Sequence, residues 1–492
     1  MNKLIILILT FAITINFGFA QTNQNAVSAL NIAKTVFDKK ENAVNLEELK
    51  KLVIDDGADA QLAYERLIQA QKHIANARAQ YFPYGIGTIA SLYFFNSFSY
   101  LILAELITSL PGKIYTVQKY KQLRNAENHN LKATIANIKN QIANIYYNLL
   151  KEEALLKLSA LELDLLREKI KSIEDQILLG LSTELALDDA KMKYYQVNKV
   201  HLRFKAYYLE ERKALNLLLN RNFDMEPIEL QPVGDFLSKE MIKMSTEKFS
   251  AIAVNRSNEI KAAEYMAHAS KHNVSAEKLS ILSFAGIGFG YMGRVRIAKS
   301  ERRNAEKRIE FVTKNIENSV YTKKSKLLNN IEIFQQDLDL YETTKSYVEG
   351  DLAEYKVGQL TLGDLIDTEL IYLADFREMI RTHYDSLQSL DDFERVVMGD
   401  VFLEPTNDSL IKVDLERKNK KVLLKVKSDL KNIVIISVRY VFERNLFYPM
   451  SSSHTSSDFS VSVKTNNEET LVIGQAFITL DNGEVITKNF KI

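Results

Sequence analysis

Two stretches of this chain, residues 113–179 and 294–349, hold neither glycine nor proline. Those are the residues that break or loosen a helical ladder, so each stretch can be one uninterrupted helix. In the first, Ile135, Ile138, Ile142, Ile145 and Leu149 recur at steps of 3 and 4. Leu156, Leu163, Leu166, Ile170, Ile173 and Ile177 continue the register. That is the spacing of a coiled-coil seam. In the second, Leu327, Ile331, Phe334, Leu338, Tyr341 and Val348 hold the same register after a phase slip near Val320. At ~1.5 Å of rise per residue the first helix approaches ~100 Å, longer than a compact domain is wide. An elongated shape is the expectation.

Each run ends at a glycine and is followed by another helical stretch, residues 185–220 and 362–397. In the first of these, Tyr195, Leu202 and Leu209 stand seven apart. The two breaks match at an offset of 178 residues: Gly180, Leu181, Ser182 and Thr183 over Gly358, Gln359, Leu360 and Thr361. Leu187, Asp189 and Tyr194 then fall over Leu365, Asp367 and Tyr372. Agreement of break, seam and preceding apolar segment argues for an internal duplication. Each glycine reads as a left-handed helix C-cap, and Ser182, Thr183 or Thr361 as the cap of the next helix. Asp364, three residues after Thr361, reads as a capping-box acid, an acidic position that the helix dipole favours in any case. The fold class expected is mostly α, a duplicated pair of long antiparallel coiled-coil hairpins with tips at Gly180 and Gly358. The six prolines, at 83, 111, 227, 232, 405 and 449, are expected at the joints between helices.

Two apolar segments interrupt this pattern. Residues 85–110 have the length of a short β-hairpin, but residues 86–104 carry no charge and can also be helical. Residues 279–292 have room for one strand and not two. The tail, residues 405–492, reads as β: apolar runs with Asp481-Asn482-Gly483 between the last two, a strong hairpin signal. A small sandwich of about immunoglobulin size is expected there, packing against the helices or binding a partner.

Chemistry is sparse. His268 and His272 are one helical turn apart, but no His-Glu-x-x-His and no third ligand stands nearby, so they read as surface residues and no metal is expected. Gly286, Gly288 and Gly290 lack a following dinucleotide-binding pattern. No phosphate-cradling loop and no nucleophile with a base at a recognisable spacing occur, so neither catalysis nor a cofactor is expected. Lys and Arg (64) nearly balance Asp and Glu (63), and no net field draws the whole protein to nucleic acid. The absence of cysteine excludes disulfides, thiolate metal sites and a lipid-modified N-terminal Cys. Lys3, the apolar run to Phe19, and Gly18 and Ala20 at the cleavage spacing read as a signal peptide over residues 1–20, hence export.

At the tips the chain resembles the TolC family of outer-membrane efflux and secretion channels, over residues 60–400. The most specific part is Tyr355-Lys-Val-Gly358-Gln-Leu-Thr361-Leu-Gly-Asp364-Leu-Ile-Asp367, with the following stretch ending in Val397-Met-Gly399. Leu178-Leu-Gly180-Leu-Ser182-Thr183 is similar to the tip of the first repeat. The entry segments Ala79-Gln-Tyr-Phe-Pro83 and Asn258-Glu-Ile-Lys-Ala-Ala also fit. The resemblance divides the chain into a signal peptide (1–20), a first repeat (21–231), a second repeat (232–404) and the β tail (405–492), which lies outside it. It implies a homotrimer whose hairpins curve into a periplasmic α-barrel tunnel closed by a β-barrel in the outer membrane. The tips would dock a periplasmic adaptor and its inner-membrane transporter, with Tyr355, Asp364 and Asp367 at the tunnel mouth. The departure is in the apolar segments. A barrel strand needs about 9 to 11 residues, so four strands per subunit do not fit, and a periplasmic protein without a complete barrel is the alternative.

Overall fold

The computed structural model of the chain describes residues 36–38, 40, 43–80, 96–222, 225–226, 228–282, 290–399 and 401–402, with seven strands between residues 411 and 491. The expected signal peptide, Pro83, Pro227, Pro405, Pro449 and the Asn482-Gly483 turn lie outside the described residues.

Eight α-helices are described, in two sets of four. The first set is α1 (Leu46–Asp56), α2 (Ala58–Ala79), α3 (Asn96–Leu178) and α4 (Glu184–Leu218). The second is α5 (Thr246–Arg256), α6 (Asn258–Leu279), α7 (Tyr291–Lys356) and α8 (Leu362–Val397). Both sets open on a helix of 11 residues and one of 22. The short helices start on polar caps. Glu48 N–H donates to Asn45 Oδ1 at 2.9 Å while Asn45 N–H donates back to the Glu48 carboxylate at 3.2 Å. Ser257 Oγ accepts from Ile260 N–H at 3.2 Å at the start of α6. The buried residues of α2 are four alanines, Ala60, Ala63, Ala70 and Ala77, so its neighbours can approach closely. The duplication therefore extends beyond the hairpins to the short helices before them.

Both seams face inward. Ile138, Ile142, Leu149, Leu163, Leu166 and Ile173 are buried along α3, as are Leu327, Ile331, Phe334 and Val348 along α7. Of the two readings of the first apolar segment, residues 96–110 take the helical one, and one expectation is corrected: Pro111 stands inside α3 rather than at a joint. The stretch 96–110 has no Gly or Pro and only weak alternation, which leaves nothing to hold it as a strand. Pro111 removes one ladder bond without ending α3, and Gly112 beside it faces α6, where an added Cβ would stand at ordinary contact distance, 3.6 Å, from the Ala276 carbonyl oxygen. In the second apolar segment, Ser280–Leu282 is a 3-10 turn and α7 begins at Tyr291. Residues 283–289 lie outside the described residues.

The compact units of the structure cut across the repeats, each drawing on both. One comprises Met1–Ala58, Lys139–Met241 and Ser325–Asp392. Its core holds His383, fully buried, between the rings of Phe37, Phe236, Phe334 and Tyr384. The Nε2 of His383 meets the Val233 carbonyl at 2.9 Å, and burial pushes the imidazole down to about 4. The other unit comprises Asp59–Ile138, Ile242–Lys324 and Phe393–Ile492. There Phe249 meets Phe393 edge to face at 5.0 Å, and Lys324 donates to the Met244 carbonyl at 2.8 Å with its ammonium over the Phe249 ring.

The tail forms the expected two sheets, β1 (Ile411–Lys418), β2 (Lys421–Ser428) and β5 (Asp458–Lys464) in one. The other runs β4 (Ser451–Ser453), β3 (Ile433–Val441), β6 (Ile473–Leu480) and β7 (Val485–Lys491). All pairings are antiparallel. A constant-type immunoglobulin domain carries its fourth strand on the first sheet; here the fourth strand pairs with β3. Strand β7 lies against α5, so the tail packs on the helices of its own unit.

Candidate functional site

The two hairpin tips are built by one mechanism. Gly180 and Gly358 sit in the left-handed region, at φ of 74° and 76°. Gly180 N–H donates to the Ile177 carbonyl at 2.9 Å and Leu181 N–H to Gln176 at 2.8 Å. Gly358 N–H donates to Tyr355 at 3.0 Å and Gln359 N–H to Glu354 at 3.0 Å. This is the paired bond pattern that closes a helix on glycine. The next helix then starts on threonine: Thr183 Oγ1 accepts from Ala186 N–H, and Thr361 Oγ1 accepts from Asp364 N–H, both at 3.3 Å. Thr361 also donates to the Asp364 carboxylate at 2.5 Å.

Their surfaces differ. The first tip is apolar and bare: Leu178, Leu179, Leu181 and Leu185 are each at least 71 % exposed. The second has a core of its own, with Leu352, Tyr355 and Leu365 buried and Leu360 and Leu362 packed against them. Gln359 and Thr361 are exposed beside it. Of the three residues read as a mouth, Tyr355 is part of that core. Asp364 is exposed, and Asp367 pairs with Lys169 and, at 3.8 Å, with Lys193. The acids are thus one exposed carboxylate that accepts from Thr361 and one held between two lysines.

Above the second tip, α8 carries features the sequence reading missed. Glu369 is buried among the apolar row that includes Leu365, Ile366, Tyr372 and Leu373, with one carboxylate oxygen lacking any hydrogen-bond partner. Burial, then the nearby Glu168, pushes its carboxyl up to about 7. An acid standing on a buried 3-4 register was the available signal. Arg377 grips the buried Glu162 with both oxygens at 3.0 Å. The pair lines a groove of about 520 Å³ between α3, α4 and α8, together with Lys193 and Asp367. No group of three or more potential metal ligands exists among the described residues. His268 and His272 are half-buried, and the ring of Tyr115 lies 6.0 Å from that of His272.

No protein-family model and no curated protein matches the chain. Solved structures do. A membrane protein from Pseudomonas aeruginosa superposes with a TM-score of 0.57 at 12 % identity, covering 73 % of this chain and 92 % of that one. The outer membrane protein VceC from Vibrio cholerae gives 0.55 at 12 % identity, covering 75 % and 98 %. The CmeC outer membrane channel of Campylobacter jejuni gives 0.54 at 12 % identity, covering 74 % and 86 %. The fold of this chain is that of these membrane proteins, which bears out at the level of fold the resemblance read from the tips.

Proposed function

We propose that the chain is a non-catalytic subunit of a TolC-like conduit for efflux or type I secretion, assembled as a homotrimer at the outer membrane. Its hairpins form the wall of a periplasmic tunnel. The tips, Gly180 to Thr183 and Gly358 to Thr361, dock a periplasmic adaptor coupled to an inner-membrane transporter, and Asp364, exposed beside Thr361, supplies the mouth with an acid that has no lysine partner among the described residues.

One observation carries the reading. Tyr195, Leu202 and Leu209 on α4, and Ile333, Leu340 and Tyr347 on α7, stand seven residues apart and are each 41–67 % exposed. Seven-residue apolar rows are coiled-coil seams. Burying a Leu or Ile side chain fully contributes about 1.5–3 kcal/mol. Two rows left open on one chain support lateral assembly, α4 of one copy against α7 of the next. Sedimentation of the purified chain is expected to give a trimer, and Leu202→Glu or Leu340→Glu to give monomers. A trimer indifferent to both variants ends the reading. For the tips, Leu181→Asp and Gly358→Pro are expected to leave the trimer intact and abolish crosslinking to the adaptor.

A second reading, a periplasmic conduit subunit without a complete membrane barrel of its own, is favoured by the lengths of the connections. Fifteen residues lie between Gln80 and Asn96, and eight between Leu282 and Tyr291. A hairpin of two spanning strands takes about 18 to 22. No helix among the described residues is long and apolar enough to cross a membrane. Conductance steps in planar bilayers support the complete channel; a silent trimer supports the second reading.

A further inference from the structure

The chain is nearly neutral as a whole, but its charge is not evenly spread. At the end of α2, in α3 past its first three turns (which carry Glu105), at the end of α6 and at the start of α7, residues 72–79, 107–124, 268–279 and 291–308 hold two, four, two and seven Lys or Arg. Against them stand three acids, Glu277, Glu301 and Glu306. The segments meet in one unit. The Tyr291 hydroxyl donates to the Lys278 carbonyl at 3.1 Å, Lys119 donates to Asn273 at 3.1 Å, and His73 stacks on Tyr120 with ring centroids 5.7 Å apart.

Within this basic end, Arg296, Lys299, Arg303 and Lys307 fall at steps of 3, 4 and 4 on one face of α7. All four are exposed, and none makes an ion pair among the described residues. Neighbouring residues of the same helix do pair, Arg294 with Glu277 at 3.3 Å and Arg302 with Glu306 at 2.8 Å. The stripe begins one turn after the exposed Met292, with the exposed Ile281 and Leu282 on the adjoining turn. Cations beside bare apolar side chains at a helix terminus are the makings of contact with an anionic lipid surface: the apolar groups enter the headgroup boundary and the cations meet phosphate.

From this we infer that the α6–α7 end of the chain docks on the surface of an anionic, phosphate-bearing lipid leaflet, without crossing it. The short connections agree, since they leave surface contact as the way for this end to meet a bilayer. The inference rests on the conduit reading for which membrane is met, and on its form without a complete barrel for docking without crossing; the binding itself is independent of the tips. The stripe spans about 17 Å of helix, about twice the ~8 Å over which such a surface acts at physiological salt. Contact through the helix terminus therefore weights Arg296 and Lys299, next to the connection, above Arg303 and Lys307.

The test is co-sedimentation of the full chain with phosphatidylcholine vesicles, with and without an equal part of phosphatidylglycerol. Binding is expected to need phosphatidylglycerol and to fall as sodium chloride is raised. Each cation near such a surface strengthens binding about fivefold, so R296Q/K299Q is expected to weaken it more than about tenfold. R303Q/K307Q is expected to weaken it less, and the charge-matched α4 variant K199Q/R203Q not at all. Equal binding to neutral vesicles, no binding to either, or losses equal in the two α7 variants overturns the inference. So does binding to an acidic polypeptide with none to vesicles. Sedimentation and adaptor crosslinking on the same preparations read the conduit proposal separately, so either can fail alone.

Discussion

The two hairpin tips share a backbone and differ in almost everything laid on it. Both close on a left-handed glycine with the same pair of bonds and restart on a threonine. Yet Leu187 on α4 is half-buried where its equivalent Leu365 on α8 is 1 % exposed, and Tyr194 is half-buried where its equivalent Tyr372 is fully buried. Along their whole lengths the contrast persists: α4 buries Ala190, Leu215 and Asn216, while α8 buries a continuous face from Leu365 to Val397. Turn geometry was kept by a few residues whose local physics is self-contained. Packing was free to diverge, leaving one tip as a self-supported knob and the other as a bare apolar surface suited to a partner.

The largest test of that contrast is truncation of the paired leucines. Leu365→Ala removes a side chain from a filled cluster and is expected to cost about 2–4 kcal/mol, read as a shift in the urea midpoint at fixed protein concentration. Leu187→Ala is expected to cost about a third of that. Equal losses would mean the first tip has a hidden core of its own.

Next is the acid above the second tip. Glu369 has its folded carboxyl raised from 4.5 to about 7, by burial and then by Glu168. The proton is held more tightly in the folded state, so stability is full below pH 4.5 and is lost as pH rises from there to about 7. Glu369→Gln stays neutral throughout, so it is expected to match the parent at pH 4.5 and exceed it by about 1–3 kcal/mol above pH 7. The equivalent position in α4 is Lys191, half-buried, with a 3.8 Å contact to Glu174. Lys191→Gln is expected to change nothing at either pH. A Glu369→Gln variant without pH dependence would show that the carboxylate has found a partner in the assembled protein.

These differences mark where the sequence could be read and where it could not. The hairpins, their tips and the end of α8 at Val397 were legible because glycine, threonine and a 3-4 apolar repeat act over one or two turns. The β tail was legible from alternation and turn residues. Helix α3 runs through Pro111, a residue whose missing N–H and ring mark a stop in the sequence, and local physics alone does not place that continuation. Glu369 stands on a legible 3-4 register, but the Glu168 that helps raise its carboxyl comes from α3 and is brought there by the fold. The lysines beside Asp367 are brought likewise, since Lys169 and Lys193 reach it from α3 and α4.

Glycine substitution probes what the tips share. An added Cβ would meet nothing within 4 Å at either Gly180 or Gly358. The cost of alanine there is the left-handed backbone alone, about 1–2 kcal/mol, and is expected to be the same at both. Unequal costs in the urea midpoint would show that the two turns are not equivalent.

The smallest expected effect separates the caps. Thr183 caps α4 through one accepted bond, and the residue three positions on is Ala186, which returns nothing. Thr361 accepts the same bond and also donates to Asp364, which ties that carboxylate to the turn. Losing an N-cap hydroxyl costs about 1 kcal/mol, and Thr361→Ala is expected to exceed Thr183→Ala by a few tenths. Thr361→Ser keeps both bonds and should restore the parent midpoint. It also tests the proposed second duty of Asp364: Thr361→Ala frees that carboxylate, so a change in ion selectivity seen with alanine and absent with serine assigns the aspartate to the mouth as well as to the cap.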